Sequence, residues 1–170
     1  MEIEPWQKGP VSGVPALLQP VAHALLNCID DVARSVDGLT RDQLALRPGG
    51  AASIDYHVRH AIGSLDRLFT YARSEALTGL QREYLVAEKT PGGAAAATLI
   101  TEFKSAVERA IAQLRVTDET TLAETRTIGR AKLPSTVIGL LFHGAEHTAR
   151  HTGQIVATAK VARGGLNPGA

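Results

Sequence analysis

Hydrophobic positions recur at helical spacing in four long stretches of the chain. The first runs from Val14 to Val36, and Gly38 follows as a stop signal. Because Pro20 would cost a backbone hydrogen bond inside a helix, the regular part of this helix is predicted to begin near that residue. In the second stretch, Ser53 is predicted to cap a helix of about five turns. Its buried stripe consists of Ile54, Val58, Ala61, Ile62, Leu65, Leu68, Phe69 and Ala72.

Two short helical turns and a third long helix are predicted in the middle of the chain. Thr40–Gln43 matches a capping box, which indicates a short turn there. Residues 76–90 form a connection with a helical turn around Gln81–Ala87. A third helix is predicted to begin after Thr90–Pro91 and to end near Arg115.

The last third of the chain is predicted to contain a long connection and a fourth helix. Residues 117–134 show no sustained period, and no segment has a convincing strand pattern. Ser135 or Thr136 is expected to cap the fourth helix, which Gly164–Gly165 would stop. Four long amphipathic helices without strands predict an all-α fold, a four-helix bundle.

Composition limits the function classes. The 170 residues, 44% of them hydrophobic, fit one globular domain, predicted at 14–163 between an N-terminal arm at 1–13 and a C-terminal tail at 164–170. The 18 basic and 17 acidic residues are interspersed, so no nucleic acid partner is expected. The N-terminus lacks the features of a signal peptide and no stretch could span a bilayer, which predicts a cytoplasmic protein with no membrane contact. Cys28 is expected to be a buried, unreactive thiol.

The histidines carry the candidate chemistry. His143, His147 and His151 are spaced four residues apart on the fourth helix, so their side chains form one ridge. Two imidazoles at this spacing can bind one metal ion, as in the HExxH zinc motif. His57 and His60 on the second helix could supply a third ligand across the bundle. Three imidazoles leave coordination positions for water and substrate, which is typical of catalytic sites.

Spacing alone leaves alternatives open. Histidine pairs also occur on solvated helix faces, and the hydrophobic stripe of the second helix favours His57 over His60 as the inward residue. His23 is expected to be a satisfied bundle histidine, and His143 a pocket or surface residue. Glu146 is expected to be a solvated charge, with support of a ligand as the second option.

Two segments resemble the DinB-like family of helical metalloenzymes. These are SIDYHVRHAIGSLDRL at 53–68 and LLFHGAEHTARHTGQI at 140–155. The resemblance implies that His60, His147 and His151 bind the metal, with His60 in place of His57. It also implies roles for two residues shortly after the last histidine: close helix packing at Gly153, and orientation of a ligand or capping of the pocket by Gln154.

The resemblance further implies an up-down-down-up bundle that is frequently dimeric. It implies one divalent metal ion, zinc or nickel first, with iron and manganese as further candidates. Characterised members of the family include thiol-dependent transferases and a thiol-dependent isomerase. We therefore expect a homodimeric, metal-dependent enzyme that activates a low-molecular-weight thiol or water toward a small-molecule substrate. The alternative is a bundle that binds or senses metal without catalysis.

Overall fold

The computed structural model describes residues 3–164. Within that range the chain forms six α-helices and one two-stranded antiparallel hairpin. The helices are α1 (Gln19–Val36), α2 (Arg41–Ala45), α3 (Ile54–Ala72), α4 (Gly79–Ala87), α5 (Ala96–Arg115) and α6 (Val137–Gly164), and the hairpin consists of β1 (Thr125–Ile128) and β2 (Leu133–Thr136).

The four long helices surround one hydrophobic core. Helix α1 packs against α5 and α6, and α3 packs against the same two helices. Burying a large aliphatic or aromatic side chain in such a core is worth about 1.5 to 3 kcal/mol. The chain is mostly helical, as the all-α prediction requires, but the two-stranded hairpin departs from that prediction. The core includes Leu25, Val32, Leu65, Phe103, Leu114, Leu141 and Ile155.

Capping residues set the helix boundaries as the sequence predicts. The Thr40 hydroxyl accepts a hydrogen bond from the Gln43 backbone amide, and the Gln43 side chain accepts one from the Thr40 amide. Ser53 accepts from the Tyr56 amide and so begins α3. Helix α1 begins at Gln19, next to the proline that was expected to limit it.

The prediction of a connection without strands at 117–134 is wrong. Thr125 pairs with Thr136 and Ile128 with Leu133 in a hairpin whose turn includes Gly129 at φ 64°. Each strand has only four residues, which is too short for a sustained alternation of polar and apolar positions. The hairpin leads directly into α6. There the Thr136 hydroxyl accepts a hydrogen bond from the backbone amide of Gly139, the third residue of the helix.

The structure describes the N-terminal arm from residue 3 and the C-terminal end as far as Gly164. Near the N-terminus, Pro5–Lys8 forms a single 3₁₀ turn, and Val11 exchanges two hydrogen bonds with the Gln19 side chain. At the other end α6 stops at Gly164, and the remainder of the predicted tail lies outside the described residues. No helix within 3–164 has the length and apolarity needed to cross a membrane.

Candidate metal centre

Helices α3 and α6 bring three histidines to one point. His60, in the second turn of α3, faces His147 and His151, which lie one turn apart in the middle of α6. The Nε2 atoms of His60 and His147 are 3.0 Å apart. The ring centroid of His151 lies 4.5 Å from that of His147 and 4.7 Å from that of His60.

These three imidazoles fit a single divalent ion. One ring nitrogen from each lies within 4.8 Å of the other two. Nitrogens bound about 2.0 to 2.1 Å from a zinc ion in a tetrahedral shell are about 3.3 Å apart, so the His60 and His147 pair is already close to that separation. All three side chains are partly exposed. The point where the rings meet is therefore not fully closed off from solvent.

The hydrogen bonds around the rings also favour a cation. Nδ1 of His60 lies 2.8 Å from a carboxylate oxygen of Glu88, which can only accept, so this nitrogen donates. The Nε2 of a neutral His60 then offers a lone pair toward His147. Nδ1 of His147 is buried and has no hydrogen-bond partner within the described part of the chain.

Glu88 and Arg67 lie next to the candidate site and were not predicted from the sequence. Glu88 follows α4 directly, is 2% exposed, and pairs with Arg67 as well as with His60. Nothing local could have identified it, because a charged residue at the end of a short helix is usually solvated. Only the contact between α4 and α3 shows that this carboxylate faces inward.

His57 lies beside the centre but outside the set of three. It is 6% exposed, and its Nδ1 is 2.9 Å from Nδ1 of His151. Periodicity therefore identified the more buried histidine of α3, whereas the resemblance identified the one that joins His147 and His151. Next to them, the Tyr56 ring stacks on His60 at a centroid distance of 5.4 Å.

His143 and Glu146 lie at the exposed edge. The side chain of His143 is 50% exposed, and its ring centroid is 5.5 Å from that of His147. Glu146 accepts a hydrogen bond from Arg150 and lies 3.3 Å from His143. The expectations of a surface position for His143 and a solvated charge at Glu146 are confirmed, while the carboxylate that contacts a candidate ligand is Glu88.

A known protein family matches most of this chain. A family profile described as the DinB superfamily matches residues 24–155, from α1 to α6. The chain belongs to the DinB superfamily. The matched region includes all three histidines of the set and both segments that carry the resemblance. Among functionally curated proteins, none matches the chain.

Burial keeps three imidazoles in and beside this DinB centre, those of His57, His147 and His151, in their neutral form. Burial and the nearby His60 lower the pKa of His57. Burial also lowers the pKa of His147, with His60 and His143 adding to the effect. For His151, burial and three neighbouring histidines lower the pKa to about 3. At pH 7 these rings therefore offer lone pairs, which is the form that binds metal.

Gly153 and Gln154, the two family motif positions after His151, are exposed on the surface of α6. A Cβ added at Gly153 would meet no atom within 4 Å, so close packing against another helix of this chain is not the reason for the glycine. That expectation is wrong for the described residues. Gln154 is exposed, and its expected role in orienting a ligand stays a prediction.

Proposed function

We propose that this DinB protein is a metal-dependent enzyme in which His60, His147 and His151 bind one divalent ion. The observation that carries the proposal is the meeting of three partly exposed imidazoles from two helices within 4.8 Å. Zinc or nickel is the proposed metal, with iron and manganese as further candidates, because imidazole suits several divalent ions.

The proposed chemistry is activation of a small thiol or of water. When bound, the ion supplies Lewis acidity that favours the thiolate or hydroxide form of such a molecule at neutral pH. The three proposed ligands are histidines rather than carboxylates, and the nearby Glu88 carboxylate is already paired with Arg67. The protein ligands therefore bring no negative charge of their own, which favours an anionic molecule in the remaining position.

We also propose the up-down-down-up bundle for the four long helices. Contacts between α1 and α6 support a parallel pair, because the middle of one helix meets the middle of the other and their C-terminal ends meet each other. Cys28 lies against Thr152, and the carbonyl of Asp37 accepts a hydrogen bond from Arg163.

Contacts between α3 and α6 support an antiparallel pair. His57, near the start of α3, touches His151, far along α6. Phe69, near the end of α3, lies against Gly144, where an added Cβ would be 2.9 Å from its ring. The parallel pair and the antiparallel pair are those expected of the first, second and fourth long helices in the proposed topology.

A small electrophilic substrate, a low-molecular-weight thiol and a second copy of the chain are the proposed partners. The dimer is tested by light scattering on the purified protein, where a molar mass near 36 kDa is expected from about twice the chain mass of 18.0 kDa. A mass near that of one chain would contradict it.

Thiol-dependent consumption of electrophiles tests the proposed activity. The zinc- or nickel-loaded protein is incubated with a panel of low-molecular-weight thiols and halogenated or epoxide electrophiles, and loss of the electrophile is followed. Activity is expected in wild type and in the control His143→Ala, and not in the double variant His147→Ala His151→Ala. Metal-loaded protein that consumes no electrophile with any thiol or with water would instead favour the metal-binding or sensing alternative.

A further inference from the structure

A buried carboxylate stands behind the candidate metal centre. Glu88, the first residue after α4, is 2% exposed. A carboxylate removed from water in this way is costly unless its charge is compensated and its oxygens are hydrogen-bonded. Its partners therefore indicate why it lies there.

Two side chains of α3 donate to Glu88. The guanidinium of Arg67 donates to both carboxylate oxygens, with Nη1 at 3.0 Å from Oε2 and Nη2 at 3.2 Å from Oε1. Nδ1 of His60 lies 2.8 Å from Oε1. The guanidinium of Arg67 is always protonated, so it compensates the charge of the carboxylate and leaves both oxygens as hydrogen-bond acceptors. The carboxylate is therefore an acceptor for both.

The ionised carboxylate decides which nitrogen of His60 carries the proton. A neutral imidazole has one donor and one acceptor nitrogen. Because Glu88 accepts at Nδ1, the proton is on Nδ1 and the lone pair is on Nε2. That Nε2 is the atom 3.0 Å from Nε2 of His147. The same contact also fixes the rotation of the His60 ring, since Nδ1 and Nε2 lie on opposite sides of it.

The loop that carries Glu88 is fastened to the helix that carries His60. Arg59 donates to the carbonyl of Ala87 at 2.7 Å and also to the carbonyl of Thr90. Asp55 accepts from the backbone amide of Gly92 at 3.0 Å. These bonds hold the chain on both sides of the carboxylate, so its position relative to α3 is determined by α3 itself.

A glycine in α3 makes room for the carboxylate. A Cβ added at Gly63 would lie 2.6 Å from Oε2 of Glu88 and 2.7 Å from both Nη1 of Arg67 and Cε1 of Tyr84. These separations are too short for a methyl group. Gly63 lies between His60 and Arg67 along the helix, and any larger residue would displace the contact that joins them to Glu88.

We propose that Glu88 is a positioning residue for the metal centre, held by Arg67 and Gly63, which keeps His60 in its Nδ1–H tautomer with Nε2 directed at the ion. This inference rests on the proposed function, because it assumes that His60 is a ligand. Carboxylate partners of metal-bound histidines fix the tautomer and ring orientation and raise the basicity of the ligand.

The tautomer is tested on metal-free wild-type protein. Long-range proton–nitrogen correlation NMR with ¹⁵N-labelled histidine distinguishes a protonated Nδ1 from a protonated Nε2. The His60 signals are assigned by their loss in His60→Gln. A proton on Nδ1 of His60 is expected, and a proton on Nε2 would overturn the proposal. This result does not depend on metal binding or turnover, so it stands apart from failure of the proposed function.

Zinc affinity, measured by competition with a chromophoric chelator, tests the consequence. Glu88→Gln is expected to bind zinc about 10- to 100-fold more weakly than wild type. Because this change also leaves Arg67 without its carboxylate and could prevent folding, Gly63→Ala provides a variant that keeps every charge and displaces the contact. It is expected to weaken zinc binding by a similar factor.

Gly153→Ala is the matched control, since it also replaces a glycine inside a helix but adds a methyl group that meets no atom within 4 Å. It is expected to bind zinc as wild type does. Wild-type affinity in both Glu88→Gln and Gly63→Ala would overturn the positioning role. Absence of zinc from the wild-type protein would instead contradict the proposed function, and the tautomer measurement would still decide whether Glu88 positions His60.

Discussion

His60 and His151 approach the same point from opposite helices, but the Nδ1 atom of each contacts a different kind of group. On the α3 side, His60 donates to an ionised carboxylate that is fixed by Arg67. On the α6 side, the outer contact of His151 is a neutral imidazole, His57, at 2.9 Å. A hydrogen bond to a charged acceptor is roughly twice as strong as one between neutral groups. The α3 side is therefore the more firmly oriented half of the centre.

The Nδ1 atom of His147 has less support than that of His60 or His151. This Nδ1 atom is buried without a hydrogen-bond partner in the described part of the chain. The rings of His147 and His151, which have no charged hydrogen-bond partner at Nδ1, can change position at little energetic cost. The ring of His60 cannot, because moving it would break its hydrogen bond to the Glu88 carboxylate. We therefore expect a division of roles in the proposed metal centre, in which α3 sets the direction of His60 and the α6 pair adapts to the ion.

The largest expected effect comes from breaking the charge pair on the α3 side. Arg67→Met leaves Glu88 as a buried charge with only His60 as a partner, so the free energy of unfolding is expected to fall by about 3 to 5 kcal/mol. Urea denaturation of the metal-free protein measures this change.

Arg150→Met is the control for that variant. Arg150 pairs with Glu146 at the surface, where the two side chains are 57% and 35% exposed, and such pairs contribute about 1 kcal/mol or less. Equal losses in Arg67→Met and Arg150→Met would show that the buried pair has no special weight.

A smaller effect is expected on the α6 side. His57→Phe keeps an aromatic ring but removes the nitrogen beside His151, so zinc affinity is expected to fall by about tenfold, the lower end of the range for outer contacts of metal ligands. Chelator competition measures it, with the exposed His143→Phe as control. A loss larger than that of Glu88→Gln would reverse the comparison between the two sides.

The pH dependence of the metal-free protein's stability depends on these same histidines. The pKa values of His57, His147 and His151 are lowered in the fold, the last to about 3. An imidazole in the unfolded chain titrates near about 6.5, so below that pH the unfolded state binds protons that the folded state does not. The free energy of unfolding should therefore decrease as pH falls from about 7 toward about 5.

The same denaturation series in His147→Asn His151→Asn separates this contribution from that of the carboxylates. The double variant lacks two of the three titrating rings, so its free energy of unfolding should decrease less steeply over the same pH range. Parallel pH profiles for the two proteins would show that these histidines titrate alike in the folded and unfolded states.

Much of the helical fold could be predicted from local sequence because local interactions decide it. Thr40, Ser53 and Thr136 each accept a hydrogen bond from an amide near the start of a helix, and each was nominated from sequence. The hairpin at 125–136 was missed because its strands have four residues each and are defined by their pairing with each other. Such pairing leaves no periodic pattern in one short strand.

The candidate site was only partly accessible to sequence reasoning. A hydrophobic stripe identifies residues that face the core, so it favoured the buried His57. A residue proposed to bind a metal ion at a site open to solvent is expected at the edge of that stripe, and the partly exposed His60 lies there. Glu88 was not identified because it is 28 residues from His60 in sequence and reaches it only when α4 packs on α3.

The metal content of protein purified without a polyhistidine tag is the most direct test of the three-histidine centre. Elemental analysis by mass spectrometry after loading with zinc and desalting should give roughly one ion per chain in wild type and in His143→Ala, and almost none in His60→Ala. Wild-type protein without bound metal, or His60→Ala that retains a full ion, would contradict the account.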